Sequence, residues 1–367
     1  MTPDKVKAIA DEINRKARAP LFLESGFLNF EYIWTIDCPF IFIIGGRGTG
    51  KTYGGLLSIH ERIKGTEDQF IYLRRSRAQL SDIVTSEFNP FNNINRQTGS
   101  NVIVAPATKT FDGFFEAEVQ DDGTLVPHGA PIGYAVSIST AQNSRGLDRP
   151  QIKYILFDEF IKLDSEKAIK GEASAFFYTY ETVNRNRELE GLPPVRCFFC
   201  ANSNKIDNPL FDELELVAVV EKMRRKRNPI YIDKARGLAI IDLPADGPIA
   251  MAKRQTALYK LAAGTEYARM ALENSYNYDD SDIASRNLSD FLPLVKVGEL
   301  CIYKHKNDRT YYCTTYQRGG FPNTYTTTEK DLRRFVQLFY YLIDAYTRHQ
   351  VVFESYTCES MFRRFLC

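Results

Sequence analysis

The stretch from Ile41 to Gly55, "IFIIGGRGTGKTYGG", sets an apolar run directly against a glycine-rich turn that ends in Lys51 and Thr52. The run "FIFII" has no polar face, which suits a strand inside a sheet covered on both sides. The residues that follow, "TYGGLLSIHERIKG", carry helical spacing. Between them lie Gly45, Gly46, Arg47, Gly48, Thr49 and Gly50, and the whole matches G-x-x-x-x-G-K-[ST] in the strand-turn-helix setting that pattern needs. Glycines there allow positive φ and close backbone approach, so several N–H groups can converge on a polyphosphate. The helix that follows adds its positive N-terminal end. The spacing therefore predicts ATP in this cradle, with Lys51 bridging the β and γ phosphates and the Thr52 hydroxyl holding Mg²⁺.

Such a site needs an acid at the tip of another buried strand. "IKYILFDEF" supplies one: an apolar run, then Asp158 and Glu159. Asp158 is placed to hold Mg²⁺ through water. Glu159, one residue on, is within reach of the attacking water as a general base. The plainer alternative is a pair of exposed strand-end acids. A glutamate directly after the aspartate favours hydrolysis over a GTPase switch or a small-molecule kinase. The strand "RCFFCANS" ends in Asn202 and Ser203, which reads equally as a polar sensor beside the γ-phosphate or as a turn with capping residues. In "TVNRNRE", Arg185 and Arg187 fall on a polar segment predicted to be exposed. A ring ATPase needs a cation reaching into the neighbouring site, where charge spreads over the γ-phosphoryl oxygens. Two exposed arginines are also, on their own, ordinary solvated residues.

With 367 residues the chain exceeds one ordinary core, and two or three domains are expected. The first two-thirds alternate strand-like and helix-like segments, the α/β pattern of a mainly parallel sheet flanked by helices. We read residues 1–245 as a P-loop ATPase domain, 246–279 as a helical linker module and 280–367 as a small α+β C-terminal domain. In the last, "EKDLRRFVQLFYYLIDAYTRH" reads as one helix with Leu332, Phe335, Phe339 and Leu342 on one face. The apolar runs are too short for a membrane span, and the charged N-terminus lacks the core of a secretory signal, so a cytosolic protein is expected. Seven cysteines without regular spacing argue against a disulfide scaffold. Cys197 and Cys200, three apart on a strand, point to opposite faces, and the four histidines are scattered, so no zinc site is expected.

The net charge is +1, so any nucleic acid must be held by local patches rather than by a polycationic surface. Two runs qualify for sequence-independent grip on duplex phosphates. One is Lys162, Lys167 and Lys170 after "FDEF"; the other is Arg224, Arg225, Lys226 and Arg227 in "EKMRRKRNP". Each reads equally as a solvated charged face.

The succession "GGRGTGKT", "FDEFI", "NRNRE", "RCFFCANS", "NPLF" and "GTEYARMALEN" resembles the DNA-packaging ATPases of small tailed phages, the Phi-29-type (podovirus) encapsidation motors, which are related to terminase large subunits. The likeness spans roughly residues 42–277. It implies an additional-strand (ASCE) P-loop fold and a homo-oligomeric ring, a pentamer, at the portal vertex of a prohead. There ATP hydrolysis drives double-stranded DNA into the capsid, and the protein works in the host cytoplasm, transiently attached to the prohead. A DNA translocase or helicase-like ATPase of another kind is the alternative, and a nucleotide-gated binding module without turnover is a third reading. By position the resemblance makes Lys51 and Thr52 the Walker A pair, Asp158 the Walker B acid and Glu159 the catalytic glutamate. Arg185 matches the trans-acting arginine finger, with Arg187 second, and Arg145 in "AQNSRGLDRP" matches a basic residue near the subunit interface. Some relatives also bind a structural packaging RNA. The family's C-terminal domain resembles an RNase H-type nuclease without its metal-binding acids. Although Asp290, Glu299, Asp308, Asp344 and Glu354 are present, no nuclease activity is expected.

Overall fold

The computed structural model describes every residue except 86, 142–148, 163–165, 203–205, 207, 264, 266–281 and 367. Two compact units emerge: Met1–Asn204 with Arg227–Asn274, and Lys205–Lys226 with Ser275–Cys367. In the first unit ten strands share one sheet: β1 (Phe40–Ile44), β2 (Gln69–Arg74), β3 (Val102–Pro106), β4 (Asp112–Val119), β5 (Leu125–Pro127), β6 (Gly133–Ser137), β7 (Ile152–Asp158), β8 (Arg196–Ala201), β9 (Ile230–Asp233) and β10 (Leu238–Asp242). Their order is β3-β4-β6-β2-β7-β8-β1-β10-β9, with β5 paired to β4. From β6 to β10 the neighbours run parallel, and antiparallel strands finish both edges. One strand, β8, separates β1 from β7, which is the additional-strand arrangement.

Alternation along these strands builds two cores. Ile41, Ile43, Leu156, Phe198, Cys200, Ala239 and Ile241 share one core with Leu56 and Ile59 of the helix Lys51–Ile63. On the other face Phe42 stacks on Phe199 with centroids 4.1 Å apart, and Phe157 lies 5.9 Å from the same ring. The helix Glu172–Asn184 covers that aromatic layer, with Phe176 parallel to Phe157 at 5.9 Å. Cys197 and Cys200 are both buried and free, and burial pushes both thiols well above their usual value, so neither is a reactive thiolate.

The second unit holds a five-stranded sheet of β11 (Phe291–Val297), β12 (Leu300–His305), β13 (Tyr311–Thr314), β14 (Thr324–Tyr325) and β15 (Val351–Phe353), in the order β14-β11-β12-β13-β15. The expected single helix is two, Glu329–Phe339 and Tyr341–Thr347. They divide where the Ile343 N–H bonds the Tyr340 carbonyl at 3.0 Å, a tighter i→i+3 step. Phe335, Phe339 and Leu342 are nonetheless buried as the periodicity requires, with Leu332 packed against them.

The units also differ from the sequence division. Residues 205–226, placed with the ATPase domain above, cluster with the C-terminal sheet. Asp212 accepts from Ser360 at 2.6 Å and Arg363 at 2.8 Å, while Glu221 accepts the Tyr356 N–H at 2.7 Å. The helices Pro248–Lys253 and Ala257–Leu261 of the expected linker belong to the first unit. The segment "GTEYARMALEN" lies almost wholly outside the described residues. Among the described residues no helix is long and apolar enough to cross a membrane.

Candidate nucleotide site

β1 delivers the chain to Gly45, where a Cβ would meet Leu243 Cβ at 2.6 Å. Gly48 and Gly50 are left-handed, at φ +78° and +88°, which turns the loop back on itself and opens the helix at Lys51. Lys51 is only 4 % exposed. Its Nζ donates to the Gly45 carbonyl at 2.9 Å, the Gly46 carbonyl at 2.8 Å and Thr49 Oγ1 at 3.1 Å. Burial lowers its pKa to about 8, with Lys253 adding to the depression and Asp158 and Glu159 opposing it. Lys253 reaches the same loop, donating to the Arg47 carbonyl at 2.8 Å.

The Thr52 hydroxyl donates to Asp158 Oδ1 at 2.8 Å, across 106 residues of sequence. The other Asp158 oxygen accepts from the Tyr72 hydroxyl at 2.7 Å and pairs with Arg74 at 3.2 Å. Arg74 also holds Glu159 Oε2 at 2.6 Å, while Asn202 Nδ2 approaches Glu159 Oε1 at 3.4 Å, a weak contact. Although burial works against its charge, Tyr72, Asp158 and Glu159 keep Arg74 firmly protonated. Glu159 itself is left-handed, at φ +55°, an uncommon state for a residue with a Cβ and one that concentrates at functional sites.

A hydroxyl and a carboxylate facing each other across 2.8 Å, beside a loop of backbone donors and two lysines, is a hard-oxygen donor set that fits Mg²⁺ with a polyphosphate. Tyr72, Arg74 and Lys253 were not singled out from the sequence. The stretch "IYLRR" ends in two arginines, but only the pairing of Leu73 with Phe157 reveals that Arg74 ends its strand beside Asp158.

The arginine candidates separate. Arg185 is exposed and follows the last residue of the helix Glu172–Asn184 with a positive φ of +42°. Arg187 is buried, donating to the Pro193 and Pro150 carbonyls at 3.0 Å each. Arg145 and Ser203 lie outside the described residues. Lys162 is half-buried near the Glu166 carbonyl, whereas Lys167 and Lys170 are exposed. Arg224, Arg225 and Lys226 close the helix Val217–Lys226 in the second unit, where cations also complement the helix dipole. Arg227 is exposed and belongs to the first unit. In the second unit Asp308 pairs with His305, Asp344 with Arg348, and Glu354 accepts from Thr314. Among the described residues no three His, Cys, Asp or Glu side chains are grouped to hold a metal.

Comparison with known proteins gives a consistent result. The chain is 28 % identical over 320 residues to the DNA packaging protein of Bacillus phage phi29, covering 86 % of each. The corresponding protein of Bacillus phage B103 is 28 % identical over 297 residues, covering 79 % of this chain and 82 % of that one. In fold it is similar to the bacteriophage Phi-29 viral genome packaging motor assembly, with a TM-score of 0.57 and 24 % identity over 92 % of this chain and 99 % of that one. It is also similar to the Phi-28 gp11 DNA packaging motor, with a TM-score of 0.58 and 17 % identity over 90 % of this chain and 94 % of that one. The profile of the podovirus DNA encapsidation protein (Gp16) family matches residues 23–362, and the chain belongs to that family.

Proposed function

We infer that this protein is the ATP-hydrolysing subunit of a viral DNA-packaging motor, acting as a ring of copies, a pentamer by resemblance, at the portal vertex. The observation that carries the reading is the 2.8 Å contact between Thr52 and Asp158, which brings the phosphate loop and the acidic strand tip into one site. The loop amides, the N-terminus of the helix Lys51–Ile63, Lys51 and Lys253 bind and orient the polyphosphate. Thr52 and Asp158 would hold Mg²⁺, which would supply positive charge to offset that of the phosphoryl oxygens. Glu159 takes the proton of the attacking water. Before it can do so it has to leave Arg74, so the Arg74–Glu159 pair keeps the base disengaged until the site rearranges. Asn202, at the end of β8, is placed to sense that change, and Arg185 supplies the cation to the neighbouring site. The duplex is held by the lysines after Glu159 and the basic helix end, without base readout. The reading includes no nuclease activity. It is tested by mixing the protein with homologous proheads, linear duplex DNA and Mg·ATP. DNase-resistant DNA should accumulate at full genome length without nicking; cleavage of the DNA or absence of protected DNA would refute it.

The depressed pKa of Lys51 makes a signed prediction. Bound polyphosphate favours the charged ammonium and raises that pKa, so binding takes up a proton when the free protein has lost it. ATP affinity should therefore fall as pH rises through about 8. Calorimetry in two buffers of different ionisation heat should register proton uptake just above that pH. Equal heats in both buffers would remove the assignment.

A further inference from the structure

Arg75 is the largest fully buried side chain of the described residues, at 1 % exposure. Its Nε and Nη2 hold both oxygens of Glu172 at 2.5 and 2.8 Å, and its Nη1 holds Glu166 at 2.5 Å. The second Glu166 oxygen accepts from Gln79 at 2.7 Å, and Gln79 is the capping-box residue of the helix Arg77–Ile83. Glu172 is itself only 3 % exposed. Such a cluster is a poor source of stability, because taking Arg75 and Glu172 out of water offsets most of their attraction. Its better-attested use is to fix one geometry.

The geometry fixed here has three arms. Arg75 directly follows Arg74, which grips Asp158 and Glu159. Glu172 is the first residue of the 13-residue helix Glu172–Asn184, a rod of about 20 Å with Arg185 immediately beyond its far end. Glu166 lies in the segment after Glu159 that also carries Lys162, Lys167 and Lys170. We propose that the Arg75–Glu172–Glu166 cluster is a positioning unit that couples the state of the Asp158–Glu159 tip to the reach of Arg185 into the neighbouring subunit, and to the lysine segment. A helix held at its base by a two-pronged charged clamp moves as a body when the end of β2 moves. A water-exposed pair in its place would let the base slip. The proposal rests on the reading of Arg185 as the trans-acting finger.

The test is a double-mutant cycle on the assembled ring. Glu172→Gln keeps the shape and removes the charge. Its affinity for Mg·ATP should match the unmodified protein, while kcat falls roughly 10- to 100-fold, the range of a typical coupling between sites. Combined with Arg185→Ala it should cost nothing further, because both changes remove the same action. Thermal denaturation monitors folding, and if Glu172→Gln does not fold, Glu166→Gln enters the same cycle with the same non-additivity expected. Unchanged kcat in the single variant, or losses that multiply in the double variant, would overturn the proposal. If Arg185→Ala alone leaves kcat intact, the finger reading fails first and the coupling falls with it.

Discussion

Glu159→Gln is expected to abolish steady-state ATP turnover, by roughly 100- to 10,000-fold for loss of a positioned general base, while Mg·ATP still binds. The variant keeps the side-chain length and loses the proton acceptor. In the structure Glu159 is held at 2.6 Å by Arg74 and approached by Asn202, contacts a glutamine amide can replace in weakened form. The phosphate loop, Thr52 and Asp158 do not depend on it, so affinity should be preserved or slightly raised. The two quantities separate cleanly in equilibrium binding of a fluorescent ATP analogue and single-turnover hydrolysis. Turnover at the unmodified rate would show that another group activates the water. Lost binding would show that the carboxylate is structural.

Arg185→Ala should reduce kcat of a homogeneous ring by about 1,000-fold or more, as removal of an arginine finger does elsewhere. Arg187→Ala should behave differently. Its guanidinium is buried on the Pro193 and Pro150 carbonyls, the latter also accepting from Lys153 at 3.2 Å, so its loss removes two hydrogen bonds and lowers stability by about 1–3 kcal/mol, with little effect on turnover per folded ring. Mixing Arg185→Ala with Lys51→Ala subunits carries the argument further. Neither should turn over appreciably alone. In a mixed ring some interfaces pair an intact phosphate loop with an intact finger, and those should regain hydrolysis in proportion to their statistical frequency. A mixture as inactive as its components would place Arg185 in its own subunit's chemistry or outside it altogether.

The parts of this site that were legible in the sequence are those encoded locally. Six residues of loop fix the cradle, and Lys51 and Thr52 follow it directly. Asp158 and Glu159 are marked by the apolar run that buries β7 up to its tip. That these two segments meet depends on β8 lying between β1 and β7, a sheet order that no spacing specifies and that only the family resemblance implied. Arg74 is the clearest case of information held in register: two residues away from Tyr72 in sequence, it becomes a ligand of the acidic tip because β2 pairs with β7. Lys253 is more distant still, brought to the loop by a helix whose sequence carries no phosphate signal. The charge runs were the weakest guide. Lysines and arginines of identical type appear as exposed residues, as a helix C-terminus and, in Arg75 and Arg187, as buried clamps, since tertiary partners rather than composition decide between these fates.

Hydrolysis measured on purified rings against duplex DNA tests the account most directly. Mg·ATP turnover should rise when linear double-stranded DNA is added, increase with its length, proceed without strand separation, and vanish in Lys51→Ala. Turnover indifferent to duplex DNA, or undiminished in Lys51→Ala, would contradict the claim that this loop and this acidic tip form one ATP site driving a DNA motor.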